Sequence, residues 1–383
     1  MKAGSRYLWA CAAAAAMTCI SAGIFADDVD DQLARILAVS DGAQGSADAR
    51  TARRELISHG TAILPRLMEA MDQANPVSLN WCRAVWEEIV GAELAKPQPQ
   101  LPVDYFCEYV RDAKHPGPVR RLVLDTLDRL KPDERPALIP TMLNDPEFRE
   151  DAINAAIAAG DAAREKQQTE VARTAYQNAF DHARESGQIT TTAERLRSVG
   201  GEVNIPRHMG FVTNWSIVGP FPAEGMTGFE KTFPPEAEVD LQAVYTEEGK
   251  ELRWQKISTE DPFGQIDLNQ HMGPVSAVVG YAYAVIATES KEPQSAQIRC
   301  SADDNITVWL NGQQVIRKLQ WLNGTRLDRF TATVQLEPGP NRVLVKVCQG
   351  PQHRDPAVGN NWSMQLRICT SDGAGIPFTV IDQ

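Results

Sequence analysis

The sequence predicts a multidomain α plus β chain: an N-terminal α-solenoid followed by an antiparallel β-sandwich. Three observations carry this. From 28 to 199, apolar residues recur at three- and four-residue spacing, the period of an amphipathic helix. From 202 onward, apolar and polar residues alternate strictly, the period of a half-buried strand. The change falls at Gly200-Gly201, a pair that closes helices. The 383 residues are 43% apolar and 23% charged, an ordinary globular composition with material for a core in each half.

The first residues have a different purpose. Lys2 and Arg6 precede an almost wholly apolar run from 7 to 20, and small residues follow at Ser21, Ala22, Gly23 and Ala26. This is the layout of a secretory signal peptide, 1–26, cut after Ala26, with Ile24 a poor match at the −3 position. An uncleaved anchor needs about 20 apolar residues, and this run barely reaches that. The expectation is export, to the periplasm or the cell exterior, with no membrane attachment after cleavage. Lys and Arg total 38 against 50 Asp and Glu, a formal charge of −12. The acidity spreads over both halves. A nucleic-acid partner or an anionic membrane surface needs clustered basic residues, and no segment supplies them.

The helical half, 27–201, reads as helices over 29–39, 48–58, 62–74, 77–93, 102–112, 117–131, 135–144, 147–159, 161–185 and 190–199. Gly60 and Gly187 stand where helices stop, and Thr191-x-x-Glu194 has the form of a capping box for the last helix. Short connections imply antiparallel neighbours. The stretch 62–68 matches 137–143 in pattern, 75 residues apart, about twice the length of a helical-hairpin repeat. A stacked array of such hairpins offers an extended surface for a protein partner and has no built-in catalytic pocket.

The second half, 202–383, carries strand signals at 215–218, 252–257, 277–287, 296–300, 306–310, 314–317, 330–336, 343–348, 362–369 and 377–381. Val343, Val345 and Val347 share one face, with Arg342, Leu344 and Lys346 opposite. Trp362, Met364, Leu366 and Ile368 share another, with Ser363, Gln365 and Arg367 opposite. Asn311-Gly312 between two strands is a type I′ hairpin signal, because both central residues need positive φ. Pro338-Gly339-Pro340-Asn341 marks another turn. About ten strands in about 180 residues fit a jelly roll.

Several motifs carry a family resemblance. The pattern at 62–68 and 137–143, with the acidic turn Asn144-Asp145-Pro146 and the following helix, resembles HEAT repeats over roughly 45–160. The stretch 161–185, with Ala172, Ala175, Ala179 and Ala183, looks more like a TPR helix. Asp303-Asp304-Asn305-Ile306-Thr307-Val308-Trp309-Leu310-Asn311-Gly312, with the later Leu336-x-x-Gly339-x-Asn341-x-Val343, resembles the galactose-binding-like sandwiches attached to many glycoside hydrolases. The second half, opened by Pro206-Arg207-His208-x-Gly210-Phe211 and Trp215-x-x-x-Gly219-Pro220-Phe221, is also similar to largely uncharacterised exported bacterial proteins that fuse helical repeats to such a sandwich. The resemblance implies fold and export more firmly than activity.

Catalytic signatures are missing from the sequence. It has no G-x-S-x-G elbow, P-loop, H-E-x-x-H or Rossmann glycine motif. Its six histidines are scattered singly, so no metal triad is legible. No catalytic residue is assigned. Cys82, Cys107, Cys300, Cys348 and Cys369 follow the signal segment, with no C-x-x-C among them. If the strands at 343–348 and 362–369 form a direct hairpin, Cys348 and Cys369 lie too far apart to bridge. Mostly free, buried thiols are expected. Asp303 and Asp304 point to opposite faces and make a poor acid–base pair. They read as a solvated turn, with a structural calcium site as a second reading, although calcium asks for six to eight oxygens. No other cofactor is implied. Trp309, opposite Ile306, Val308 and Leu310, and Trp321, in the loop 319–325, are candidate sugar platforms. Each also has a packing alternative, and Trp215 and Trp362 are assigned to the core. The expected function is a non-catalytic binding or scaffold protein. Its helices would hold a protein partner and its sandwich a polysaccharide or protein, with Trp309, Trp321, Asp303 and Asp304 as ligand-binding candidates. The alternative is a glycan-active hydrolase or an accessory subunit of one.

Overall fold

The computed structural model describes residues 28–355 and 357–381; the expected signal peptide lies outside them. The chain is mixed α and β, helices first and antiparallel sheets second. No helix among the described residues is long and apolar enough to cross a membrane. The chain divides between Phe148 and Arg149 into two compact units. The division read from the sequence, after Gly201, differs: the three helices from Arg149 to Ser198 group with the sheets.

The first unit comprises α1 (28–37), α2 (Ser46–Ser58), α3 (Leu64–Gln73), α4 (Pro76–Leu94), α5 (Val103–Arg111), α6 (Gly117–Leu130) and α7 (Glu134–Leu138). Pro65, Pro76 and Pro118 sit in first turns, where the missing N–H has no helical partner to lose. Asn75 caps α4, its side chain accepting from the Val77 and Ser78 amides. The acidic turn read at Asn144-Asp145-Pro146 is a clamp. Asp145 takes the buried Arg120 guanidinium at 2.7 Å and caps the Glu147 and Phe148 amides. The same guanidinium lies 5.0 Å from the Phe148 ring. Burial alone would raise the Asp145 carboxyl. The Arg120 charge and the two amides outweigh it and hold it below the ordinary value.

The second unit opens with α8 (Arg149–Glu165), α9 (Thr169–His182), α10 (Ser186–Ser198) and α11 (Ile205–Met209). The single helix expected over 161–185 is broken, because Gln167 adopts φ 59° between α8 and α9. The capping box at Thr191 is absent: Glu185 caps α10 by accepting from the Gln188 amide, and Gly187 lies in the first turn. Gly200, at φ 77°, closes α10, and the Gly201 amide bonds the Leu196 carbonyl. Polar contacts fix these helices to the β-structure. Arg149 pairs with Asp372 at 3.1 Å and buried Arg367 donates to the Met209 carbonyl at 3.1 Å, while His208 Nε2, 3.0 Å from the Ala183 carbonyl oxygen, joins α11 to the end of α9.

The strands are β1 (Asn214–Pro222), β2 (Val244–Glu247), β3 (Lys250–Arg253), β4 (Gln255–Ser258), β5 (Ile266–Asp267), β6 (Val278–Thr288), β7 (Gln294–Ala302), β8 (Ile306–Leu310), β9 (Gln313–Lys318), β10 (Phe330–Leu336), β11 (Gly339–Gln349), β12 (Ser363–Cys369) and β13 (Phe378–Val380). Short helices α12 (Pro234–Ala237) and α13 (Leu268–Met272) interrupt them. A seven-stranded sheet runs β4-β1-β6-β11-β8-β9, with β13 also on β6. A four-stranded sheet runs β10-β7-β12-β5, and β2-β3 form a separate hairpin. The strand expected over 252–257 is thus split between two sheets. Asn311 and Gly312 take φ 51° and 83°, as the hairpin between β8 and β9 requires. Asn341, fully buried, accepts from Asn311 Nδ2 at 3.0 Å, tying that turn to the start of β11.

One apolar cluster draws on both sheets. Val343, Val345, Val347, Ile306 and Val308 come from the larger, and Ile298, Cys300, Met364, Leu366 and Ile368 from the smaller. Trp215 and Trp362 lie in it. The other face of the large sheet is also buried. Phe221, Tyr281, Tyr283, Leu344 and Cys348 pack there with Phe229, Phe233 and Leu252 of the 223–254 excursion. Each such aromatic contributes about 2 kcal/mol by leaving water. At Leu344 and Lys346 the face of β11 opposite its valines is therefore buried too, while Arg342 is exposed. Lys346, only 2% exposed, is compensated by Glu236 at 2.8 Å and the Lys231 carbonyl at 2.6 Å. Strands β11 and β12 lie in different sheets, so the hairpin considered for Cys348 and Cys369 does not form. All five cysteines among the described residues are nevertheless free and buried.

Candidate functional site

Strand β7 passes to β8 through Asp303-Asp304-Asn305. The solvated turn expected there is absent: these residues are 4%, 1% and 0% exposed. The reason lies far along the chain. Asn305 Oδ1 accepts from the Gln320 amide at 2.6 Å, Asp304 Oδ1 from Leu322 at 2.7 Å and Asp303 Oδ1 from Gly324 at 2.9 Å. Three consecutive side chains therefore hold alternate amides of the loop 319–325. The second Asp304 oxygen accepts from the Gly350 amide at 2.7 Å, so the same carboxylate also fixes the chain leaving β11. Gln320 strengthens the seam, its Nε2 donating to the Ala302 and Asp304 carbonyls. The bonds hold Leu322 at φ 51°, a conformation that costs about 1 kcal/mol or more for a non-glycine residue.

Burial dominates the electrostatics of this seam. It pushes the Asp304 carboxyl up to about 6, against the opposing pull of the Leu322 and Gly350 amides. It raises Asp303 as well, against the Gly324 amide. Three of the four carboxylate oxygens accept from backbone amides, so the two side chains anchor the loop and the chain leaving β11. Asp303 Oδ2 is the one side-chain oxygen of the three residues without a partner among the described residues. No cluster of three or more His, Cys, Asp or Glu suited to a metal occurs among the described residues.

What the seam holds in place is Trp321. This residue is 43% exposed, beside Leu319 at 73%. It rests against Gly350, where a Cβ would come within 2.7 Å of indole Cδ1 and Nε1 and 2.9 Å of Met226 Sδ. The His353 ring stands 6.3 Å away, centroid to centroid. The structure thus brings Asp303, Asp304 and Trp321 together. It does not bring Trp309 to them: that ring is half-buried on the outer face of the large sheet, against the second apolar cluster.

Beside this loop lies a cleft of about 1000 Å³ that the sequence reading missed. Its lining includes Glu224, Lys231, Glu247, Lys250, Ser276 and Ala277. Two backbone bonds connect it to the tryptophan: Ala223 N to the Ala277 carbonyl and Ala277 N to the Gly350 carbonyl, both 2.9 Å. One wall is the β2–β3 hairpin, whose turn residues Glu248 and Gly249 take φ 49° and 78°. That Glu-Gly pair, between short alternating runs, was the available signal. A rigidly held aromatic face next to a cleft with both acceptors and donors suits a polyhydroxylated ligand.

No protein-family model and no curated protein matches this chain. Among solved structures it is similar to a Faecalibacterium prausnitzii β-glucuronidase, at 12% identity over 42% of this chain and 31% of that one, with a TM-score of 0.23. It is also similar to a Kluyveromyces marxianus β-glucosidase in complex with glucose, at 10% identity over 40% and 17%, TM-score 0.25. A Bacteroides vulgatus β-glycosidase matches at 12% identity over 42% and 20%, TM-score 0.22. The chain spans less than a third of the length of each of these.

Proposed function

We propose that this is an exported, non-catalytic binding protein whose β-structure is a jelly-roll sandwich of galactose-binding-like type. The helical first unit is a solenoid that receives a protein partner, and the Trp321 end of the sandwich receives an uncharged glycan. The observation that carries the reading is Trp321 itself, 43% exposed on a loop pinned by three buried side chains. An aromatic left in water at the cost of its own burial, yet rigidly placed, is preorganised for stacking. The test is retention of the full chain on immobilised and insoluble polysaccharides, with and without calcium. Retention on one polysaccharide, competed by its soluble oligomer and lost in Trp321→Ala, supports the reading. Undiminished retention of Trp321→Ala removes the platform.

A second reading, a glycan-active hydrolase or a subunit of one, draws on Glu224 and Glu247 lining one cleft. Release of reducing sugar by the wild-type chain, abolished in Glu224→Gln or Glu247→Gln, would favour it.

A further inference from the structure

We propose that the cleft of about 1000 Å³ between the β2–β3 hairpin and the 274–278 segment is an extension of the Trp321 site, so that one uncharged glycan chain stacks on Trp321 and runs past Gly350 into the cleft. The inference rests on the glycan reading above and deepens it from a single stacking platform to a groove.

Continuity is the first argument. Segments 223, 277 and 350 lie side by side, joined by amide-to-carbonyl bonds of 2.9 Å. Ala223 and Ala277 line the cleft, and Gly350 seats the Trp321 ring. Met226 Sδ reaches the same glycine.

The lining chemistry selects the ligand. Glu224, Glu247 and Glu248 offer acceptors, Lys231 and Lys250 offer donors, and Thr227 and Ser276 offer hydroxyls. A neutral polyhydroxylated chain pairs with all three sets. A polyanion meets an excess of carboxylates, and a polycation meets both ammonium groups. The volume is at the upper end of small-molecule sites, which suits more than one sugar. Pro220, Pro222 and Pro274 stiffen the walls, so little ordering is required on binding.

The experiment is calorimetry of the full chain with β-1,4-linked gluco-, xylo- and manno-oligosaccharides, comparing dimer with hexamer. For the sugar that binds, the wild-type Kd falls about tenfold or more from dimer to hexamer. Ser276→Tyr, which fills the cleft from an exposed position, and Lys250→Glu, which removes a donor, each bring the two values within about twofold. Trp321→Ala weakens both oligomers. An undiminished length gain in both cleft variants, or equal dimer and hexamer affinity in the wild type, overturns the groove and leaves the Trp321 platform standing. A length gain that survives Trp321→Ala and vanishes in Ser276→Tyr keeps the cleft and overturns the platform. Binding of none of the oligosaccharides overturns both.

Discussion

Asp304 and Gly350 are 46 residues apart, yet the carboxylate of the first accepts the amide hydrogen of the second at 2.7 Å in a buried site. The other oxygen of the same carboxylate holds Leu322 at the same distance. One side chain thus fixes both the loop that carries Trp321 and the glycine on which that ring rests.

Asp304→Ala leaves a buried amide, Gly350, and a partly buried one, Leu322, without acceptors. The expected cost is about 2 kcal/mol or more in urea unfolding of the second unit, with red-shifted Trp321 emission as the loop loosens. Asp304→Asn, which keeps one acceptor, is expected to lose less. Equal stability of Asp304→Ala and wild type would remove the anchoring role.

The pH dependence of this anchor has an unusual sign for an aspartate. Its carboxyl is pushed up to about 6 in the fold, against about 3.9 in an unfolded chain. Between those values the folded state holds the proton more tightly. The group's contribution to stability is therefore full below about pH 4 and lost as pH rises through about 6, with a slope up to about 1.4 kcal/mol per unit. The unfolding free energy of wild type minus that of Asp304→Asn should fall over this window; a rise contradicts the assignment.

Asp145 in the first unit shows the opposite behaviour. Arg120 and two amides hold its carboxyl below the ordinary value despite burial. Its contribution is present above about pH 4 and lost as pH falls through the lowered value. Arg120→Met strands a buried carboxylate and should cost about 3 kcal/mol at neutral pH, a gap that narrows in acid. A gap that is flat with pH would mean that the pair contributes packing alone.

Gly350→Ala tests the seat of the platform. The new methyl would stand 2.7 Å from the indole, so the ring must move. The expected outcome is a folded protein with shifted tryptophan emission and reduced glycan retention. Retention at the wild-type level would show that the seating is incidental.

The thiols give a fifth check. Burial pushes Cys82, Cys300 and Cys348 up to about 12. Native protein should leave all five buried thiols unmodified by a thiol reagent at pH 8 over minutes, and denaturant should expose them. Rapid native labelling would point to local opening.

Legibility from sequence followed the range of the forces. Alternation at 343–347 and 362–368 and the Asn311-Gly312 turn are local, and they placed the strands and the Trp215 and Trp362 core positions correctly. The same alternation put Trp309 on the face opposite Val308, where it lies. What sequence could not disclose was burial supplied from afar. Asp303 and Asp304 read as solvated because their partners, Leu322, Gly324 and Gly350, follow 18 to 46 residues later. The burial of Lys346, on the face opposite the valines, was equally hidden, because its partner Glu236 stands 110 residues before it. The cleft escaped for a related reason: the strand read over 252–257 joined the end of β3 to β4 and left β2 unread, which hid the hairpin that forms its wall.

The central claim is that Trp321 is a ligand platform and Trp309 is not. The most direct measurement is the indole ¹⁵N–¹H spectrum of the full chain, with the two signals assigned by Trp321→Phe and Trp309→Phe, during titration with the oligosaccharide that competes retention. The account predicts a saturable shift of the Trp321 signal while that of Trp309 stays in place. A stationary Trp321 signal at saturating ligand would contradict it.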